Sequence, residues 1–468
     1  MLDRPSRVVI IGWDSAPPDL VFDRLAPRMP NFTRLRARGC WGRMRSSDPP
    51  ITVPAWTCML TSLNPGALGF YGFRNRRPGG YDTDWIATNA AVRSPRVWDY
   101  LSEAGLTCCA HAVPQTYPVK PLNGMLVADF LTPSTDSDYT YPVWLKEELN
   151  RVCDGYRIDV EGFRTEDKAA LLEQIYAVTD KHHQAVLYLL DQQPAPGRAW
   201  DFFMSVEMGP DRLQHGFWKY CDPAHPKHEP GNPFESCLAD YYAHLDAQLG
   251  EVLERVGEEA LVMVVSDHGA KAMKGSVNLN DYFIREGLLV LKREVPPGSH
   301  LQAELVDWSR TRAWAWGGYY ARVFLNVEGR EPQGTIPAGQ YERVREEVAD
   351  LIRALPDDQG RPMATEAYRP GDIFSGPYVD EAPDLMVYFD SLSWRAGQDL
   401  NNPALYSFDT EIGPDDAVHD YEGILAMAGP GVESAGELRG LQLMDVAPTV
   451  LHHLGQRLPE GLEGKIVG

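Results

Sequence analysis

Asp14, Asp211, His215, Asp267, His268 and His419 occupy four separated places in the chain, and carboxylates and imidazoles are the groups that hold zinc or manganese. Asp211 and His215 stand four apart, so a helix there turns both side chains to one face and toward one ion. Asp267 and His268 end the apolar run 261–266, where an unpaired buried charge is costly. Asp14 closes the run 8–13, and His419 stands shortly before the run 424–427. Each place alone has an ordinary reading as a solvated pair or a strand-end polar group. Taken together, Asp211, His215 and His419 suit one ion, and Asp14, Asp267 and His268 suit a second. Three protein ligands per ion leave room for nucleophile and substrate, as a catalytic centre requires.

A nucleophile is expected in the segment Ile51-Thr52-Val53-Pro54-Ala55-Trp56. Pro54 suits the first turn of a helix over 54–62, which puts Thr52 at or just before its start. Free N–H groups and the helix dipole favour phosphate there. A plain capping role for Thr52 is the alternative. Arg74, Arg76 and Arg77, with Tyr71 and Phe73 beside them, are candidates for substrate contact. Guanidinium grips phosphate or carboxylate with paired hydrogen bonds, and the aromatic rings can stack on a base. Solvated loop charges and loop packing are the competing readings. His182-His183, His225, His228 and His452-His453 read as packing or solvent-facing residues.

Positioning such ligands calls for short β-branched strands that deliver them to one edge of a sheet. Strand-like runs at 8–12, 107–113, 124–128, 200–206 and 261–266 alternate with helical stretches at 27–38, 96–104, 165–190 and 234–256. This rhythm predicts an α/β fold with a mostly parallel central sheet flanked by helices. The Pro-rich stretch 222–233 reads as loop, and 192–197 as a break. Between His268 and His419 the pattern changes: strands at 313–316, 320–326 and 385–388 with a helix at 341–355 predict a smaller α+β cap. The expected division is a catalytic core of 1–284 and 406–468, with the cap inserted at 285–405.

A length of 468 residues accommodates that plan. The net charge of −22 repels polyanions, and without a basic stripe a nucleic acid polymer is not an expected partner. A small phosphorylated substrate remains compatible, since two divalent cations against three aspartates leave the pocket about one positive charge. No run approaches the length of a membrane span, the segment Met1-Leu2-Asp3-Arg4-Pro5-Ser6 lacks a leader pattern, and 7 cysteines without a CxxC pair suit a reducing compartment. A cytoplasmic location is expected, with no membrane partner.

The order Asp14, Thr52-Val53-Pro54, Asp211 to His215, Asp267-His268-Gly269 and His419 resembles the alkaline phosphatase superfamily. The likeness is greatest to its type I phosphodiesterase/nucleotide pyrophosphatase group, and it extends to Gly12-Trp13-Asp14, 61–66, 429–431 and 444–449. The resemblance implies an alkaline phosphatase-like fold and two divalent ions, zinc or manganese. It further implies that Thr52 ligates a metal, loses its proton and attacks phosphorus in line, giving a covalent phospho-threonine that water then cleaves. The implied substrates are phosphate esters, with phosphodiester or nucleotide pyrophosphate bonds foremost. A phosphomonoesterase or phosphomutase of the same superfamily is the alternative, and a non-catalytic binding module fits poorly with all six ligand types and Thr52 present. The chain departs from the group at Ala55, where an Asn usually contacts a phosphate oxygen. It also lacks the Cys/Ser-x-Pro-x-Arg segment of sulfatases.

Overall fold

A computed structural model describes residues 7–195, 197–432 and 436–468. Met1–Ser6 and Pro196, which entered the sequence reading, lie outside the described residues.

Among the described residues the central sheet has ten strands. Its middle is a parallel block in the order Ala260–Val265, Arg7–Trp13, Phe202–Glu207, Cys108–His111 and Gly124–Val127. Val8, Val9, Ile10 and the run Leu261–Val265 are fully buried or nearly so. Such strands lie between two helical layers, which is why they read as unbroken apolar runs rather than alternating ones. Burying each large aliphatic side chain contributes about 1.5–3 kcal/mol, so this block anchors the molecule.

Register aligns the exits of these strands. Gly12 pairs with Val206 on one side and Val265 on the other, so Asp14 and Asp267 leave the sheet at the same edge. The strand Glu422–Ala428 runs antiparallel to Ala260–Val265, with Leu425 opposite Val265. Its beginning therefore lies at the edge where the parallel strands end, and His419 arrives there although it precedes its strand.

Helices form largely where expected, with shifted ends. The Asp167 side chain accepts from the Ala170 N–H at 3.1 Å and starts the helix Lys168–Asp191 three residues after the expected start. The helix Thr52–Thr61 begins two residues before Pro54, and all ten of its residues are buried, so it carries no amphipathic pattern. Among the described residues no helix is long and apolar enough to cross a membrane.

The smaller lobe is built on an antiparallel sheet of Ala313–Trp316, Ala321–Leu325, Leu385–Tyr388 and Glu366–Tyr368 with the helix Tyr341–Arg353. Its apolar cluster runs from Val277 to Leu400 and includes Leu279, Tyr282 and Phe283. Residues just before the expected boundary at 285 thus pack with the lobe, because the helix Leu279–Arg285 turns its apolar side toward it. A small cluster of Ile51, Tyr71, Tyr320, Phe374 and Tyr388 joins lobe to core.

Candidate active site

Four elements converge at the sheet edge. The first strand, Arg7–Trp13, is followed at once by Asp14 and then by Ser15 in left-handed backbone at φ 63°. That turn lets the Ser15 N–H donate to Asp267 Oδ1 at 3.2 Å and its carbonyl accept from the Gln214 side chain at 2.9 Å. Pro210 opens the helix Gly209–Cys221, where Asp211 and His215 share a face as their spacing predicts. His419 comes from a short ribbon, Ala417–Asp420 paired antiparallel with Gly269–Ala272, in which it lies opposite Ala270.

The six ligand candidates form two buried triads, Asp211–His215–His419 and Asp14–Asp267–His268, with ligand atoms within 4.8 Å of one another in each. In the first, His215 Nε2 lies 3.2 Å from His419 Nε2, and Asp211 Oδ1 is 3.3 and 3.5 Å from these two nitrogens. In the second, His268 Nε2 is 3.1 Å from Asp267 Oδ2 and 3.8 Å from Asp14 Oδ1. The His268 and His419 rings stack with centroids 3.8 Å apart, so the triads adjoin.

Each imidazole is aimed from its far side. Nδ1 of His215 faces Asp415 Oδ1 at 2.7 Å, that of His419 faces the Pro50 carbonyl at 2.9 Å, and that of His268 faces the Gly269 carbonyl at 3.1 Å. With Nδ1 donating, the Nε2 lone pairs point into the triads. Asp14 Oδ1, Asp211 Oδ1 and Asp267 Oδ2 are buried without a hydrogen-bond partner among the described residues. Orphaned carboxylate oxygens facing imidazole lone pairs are unfavourable unless a cation lies between them. The donor sets therefore fit divalent cations.

Electrostatics agree. Burial opposes charge on His215 and His268, but Asp415 and Asp211 hold His215 up to about 9, and Asp267 holds His268 up to about 9. Burial and the neighbouring His268 push His419 down to about 3. Burial, reinforced by Asp267, drives Asp14 well above the carboxylate range. Asp211 is also buried, yet His215, His419 and Arg212 outweigh this and hold it well below that range. Positive charge is thus drawn to His215 and His268, whereas burial disfavours it on His419 and disfavours negative charge on Asp14.

Thr52 is 3% exposed, with Oγ1 3.4 Å from His268 Nε2. Ile51 occupies the N-cap position and makes no side-chain capping bond. Thr52 is therefore the first helical residue rather than a cap, and its hydroxyl is directed at the second triad.

A family model described as type I phosphodiesterase / nucleotide pyrophosphatase matches residues 8–417. The chain belongs to this family. As a member of the type I phosphodiesterase / nucleotide pyrophosphatase family it is a phosphoric ester hydrolase. Comparison with curated proteins returns no match. Among solved structures, human ectonucleotide pyrophosphatase / phosphodiesterase 5 is similar at 13% identity, covering 97% of this chain and 96% of that one, with a TM-score of 0.55. The murine protein of the same name is similar at 14% identity, with 97% and 96% covered and a TM-score of 0.54. An inactive threonine-to-alanine form of the murine protein, in complex with AMP, gives 13%, the same coverage and 0.54. These likenesses show the fold.

A cavity of about 510 Å³ opens over Thr52, Asp211, His215 and His419, and Arg74 lines it. Tyr71 and Arg76, expected at the substrate, lie elsewhere. Arg76 is buried between Trp314 and Phe324 and pairs with Glu331 at 2.7 Å, while the Tyr71 hydroxyl donates to the Tyr378 carbonyl. Both tie the loop to the lobe, which is the stronger demand on a buried guanidinium and a buried ring. Arg77 is exposed outside the cavity. Ala55 is fully buried and contacts no substrate space.

Several site residues escaped sequence reasoning. The Trp56 indole N–H donates to Asp14 Oδ2 at 2.6 Å. Gly12 makes this possible, since a Cβ there would lie 2.5 Å from the Trp56 ring. Arg212 bonds Asp211 Oδ2 at 2.9 Å and Asp159 at 2.6 Å. Tyr319 stacks on His215 at 4.9 Å and donates to Asp415 at 3.1 Å. Arg212 adjoins a ligand candidate in sequence, but nothing in the sequence pointed to Asp415 or Tyr319.

Proposed function

We propose that the chain hydrolyses phosphodiester or nucleotide pyrophosphate bonds of small substrates with two divalent ions and a covalent phospho-threonine intermediate. The observation that carries this reading is the trio of orphaned carboxylate oxygens in the two triads, with the Thr52 hydroxyl 3.4 Å from His268 Nε2 of the second. Asp211, His215 and His419 would hold one ion and Asp14, Asp267 and His268 the other. The mixed nitrogen and oxygen donors favour zinc, with manganese next. Bound ions would supply Lewis-acid stabilisation and ease deprotonation of the hydroxyl.

In the first half-reaction Thr52 Oγ1 bonds to phosphorus as the bond to the leaving oxygen breaks. Water then attacks the phospho-threonine, releasing phosphate or a phosphate monoester and restoring the hydroxyl. The helix starting at Thr52 orients its first N–H groups toward the transferring phosphoryl group. Phe163, Trp316 and Tyr319 line a cavity large enough for a nucleotide-sized ester. The AMP complex of the murine neighbour supports a nucleotide as substrate. Seven cysteines without a CxxC pair support a cytosolic setting.

The test measures bound metal and the turnover of a chromogenic diester and monoester by wild type and Thr52→Ala. Expected are zinc or manganese in both proteins, diester turnover in wild type, and its loss in the variant. Normal turnover by Thr52→Ala would remove the covalent route, and faster monoester turnover would reassign the bond type.

A further inference from the structure

The cavity wall carries five arginines, and four have a carboxylate partner. Arg164 pairs with Asp415 at 3.2 Å, Arg212 with Asp159 at 2.6 Å, and Arg395 with Glu411 through two bonds of 2.8 Å. Arg74, half exposed, contacts Asp84 at 3.3 Å. Arg322 differs. Its Nη1 donates to the Arg74 carbonyl and its Nη2 to the Gly317 carbonyl at 3.4 Å, while its Nε is buried with no hydrogen-bond partner. Among the described residues no carboxylate pairs with it, and the Arg74 guanidinium is its charged neighbour.

Positive charge left uncompensated on a cavity wall stands out in a chain of net charge −22. The group is also held in place. Its guanidinium carbon lies 5.4 Å from the Trp316 ring centre and 5.5 Å from that of Tyr320. Gly72 leaves the space this requires, because a Cβ there would come within 2.4 Å of the Tyr320 hydroxyl and 3.5 Å of Arg322 Nη1. A fixed fork of donors needs little ordering to grip an oxyanion.

We infer that Arg322, with Arg74 beside it, forms a subsite for a second oxyanion of the substrate. The preferred esters then carry a phosphate or carboxylate group separate from the reacting phosphorus. This rests on the phosphoryl-centre reading above. It also makes the lobe, which supplies Arg322, a determinant of substrate choice.

Calorimetry on the zinc-loaded protein tests it with three probe sets of graded chain length: alkylphosphonates, α,ω-alkanediphosphonates and ω-carboxyalkylphosphonates. At one matching length the second anion should tighten binding to wild type at least tenfold over the alkylphosphonate of the same length. In Arg322→Met that ratio should fall to near one. Arg322→Lys, which keeps the charge but loses the fork, should retain part of it and guards against a folding defect in the first variant. The terminus giving the larger gain identifies the group as phosphate or carboxylate. A role limited to tying the loop to the lobe would lower thermal stability and leave the ratio intact, which would overturn the subsite. So would the lack of any gain at every length. Failure of the plain alkylphosphonates to bind would overturn the phosphoryl centre itself, and the subsite with it.

Discussion

Removing the Asp415 carboxylate should loosen the proposed metal centre without touching a proposed metal ligand. Asp415 is fully buried, holds His215 Nδ1 at 2.7 Å, and also contacts Arg164 at 3.2 Å and Tyr319 at 3.1 Å. Burial opposes its ionisation, but His215 and Arg164 hold its carboxyl down at about 2, so it is charged at neutral pH. A hydrogen bond to a charged group contributes about 1.5–3 kcal/mol, and each 1.4 kcal/mol is a factor of ten. Asp415→Ala should therefore weaken zinc binding by roughly 10–100-fold, the range found when an outer partner of a metal-bound histidine is removed. Asp415→Asn should cost less, since the amide oxygen still accepts from Nδ1 while its NH2 opposes the donors of Arg164. The assay is dialysis against buffered zinc with metal content read by mass spectrometry, alongside diester turnover at low and excess zinc. Excess zinc should restore part of the Asp415→Ala turnover. Zinc affinity within about threefold of wild type would refute the view that Asp415 aims His215.

Gly12→Ala would drive a Cβ to 2.5 Å from the Trp56 ring and 2.9 Å from Val206, so it should lower unfolding free energy by about 1–3 kcal/mol and reduce metal content together. Denaturant unfolding with metal analysis checks both. Burial lifts Asp129 to about 7, against about 4 in an unfolded chain, so the stability favoured by its protonated form is complete below pH 4 and lost as pH rises through 7. Asp129→Asn removes that loss. Relative to wild type the variant should gain on the order of 2–4 kcal/mol between pH 4 and 8, and a constant difference would contradict it. Cys221 and Cys237 have sulfurs 3.4 Å apart, and the hydrogen bond from Cys237 pulls the Cys221 thiol below its usual value. Diamide should therefore consume this pair first, and peptide mapping that finds another pair would reject the assignment.

What the sequence disclosed divides along physical lines. Leu261–Val265 announced a doubly buried strand because nothing in it needs water. Asp211 and His215 announced a shared face because helical spacing alone puts them together. His419 was harder to place, since its strand runs against the others and a sheet edge has no local signature. Tyr319 and Arg322 reach the site only through long-range packing, so their neighbours in sequence say nothing of it, and the spacing of Asp415 before His419 does not reveal that it meets His215. Tyr71 and Arg76 show the reverse case. Aromatic and guanidinium groups suit a substrate, but they suit a joint between two lobes equally well, and burial decides between the two.

The ribbon of Gly269–Ala272 with Ala417–Asp420 lends itself to modular exchange. It fastens His268 and His419 by backbone hydrogen bonds, and the chain between 272 and 417 leaves and returns through its two strands. That stretch is in effect a loop on a clamp, and the ribbon holds both histidines in register at its two ends. Asp415, four residues before His419 on the returning arm, aims His215 and must stay with the clamp. Tyr319, stacked on His215 from within the loop, marks where a transplanted lobe must still meet the clamp.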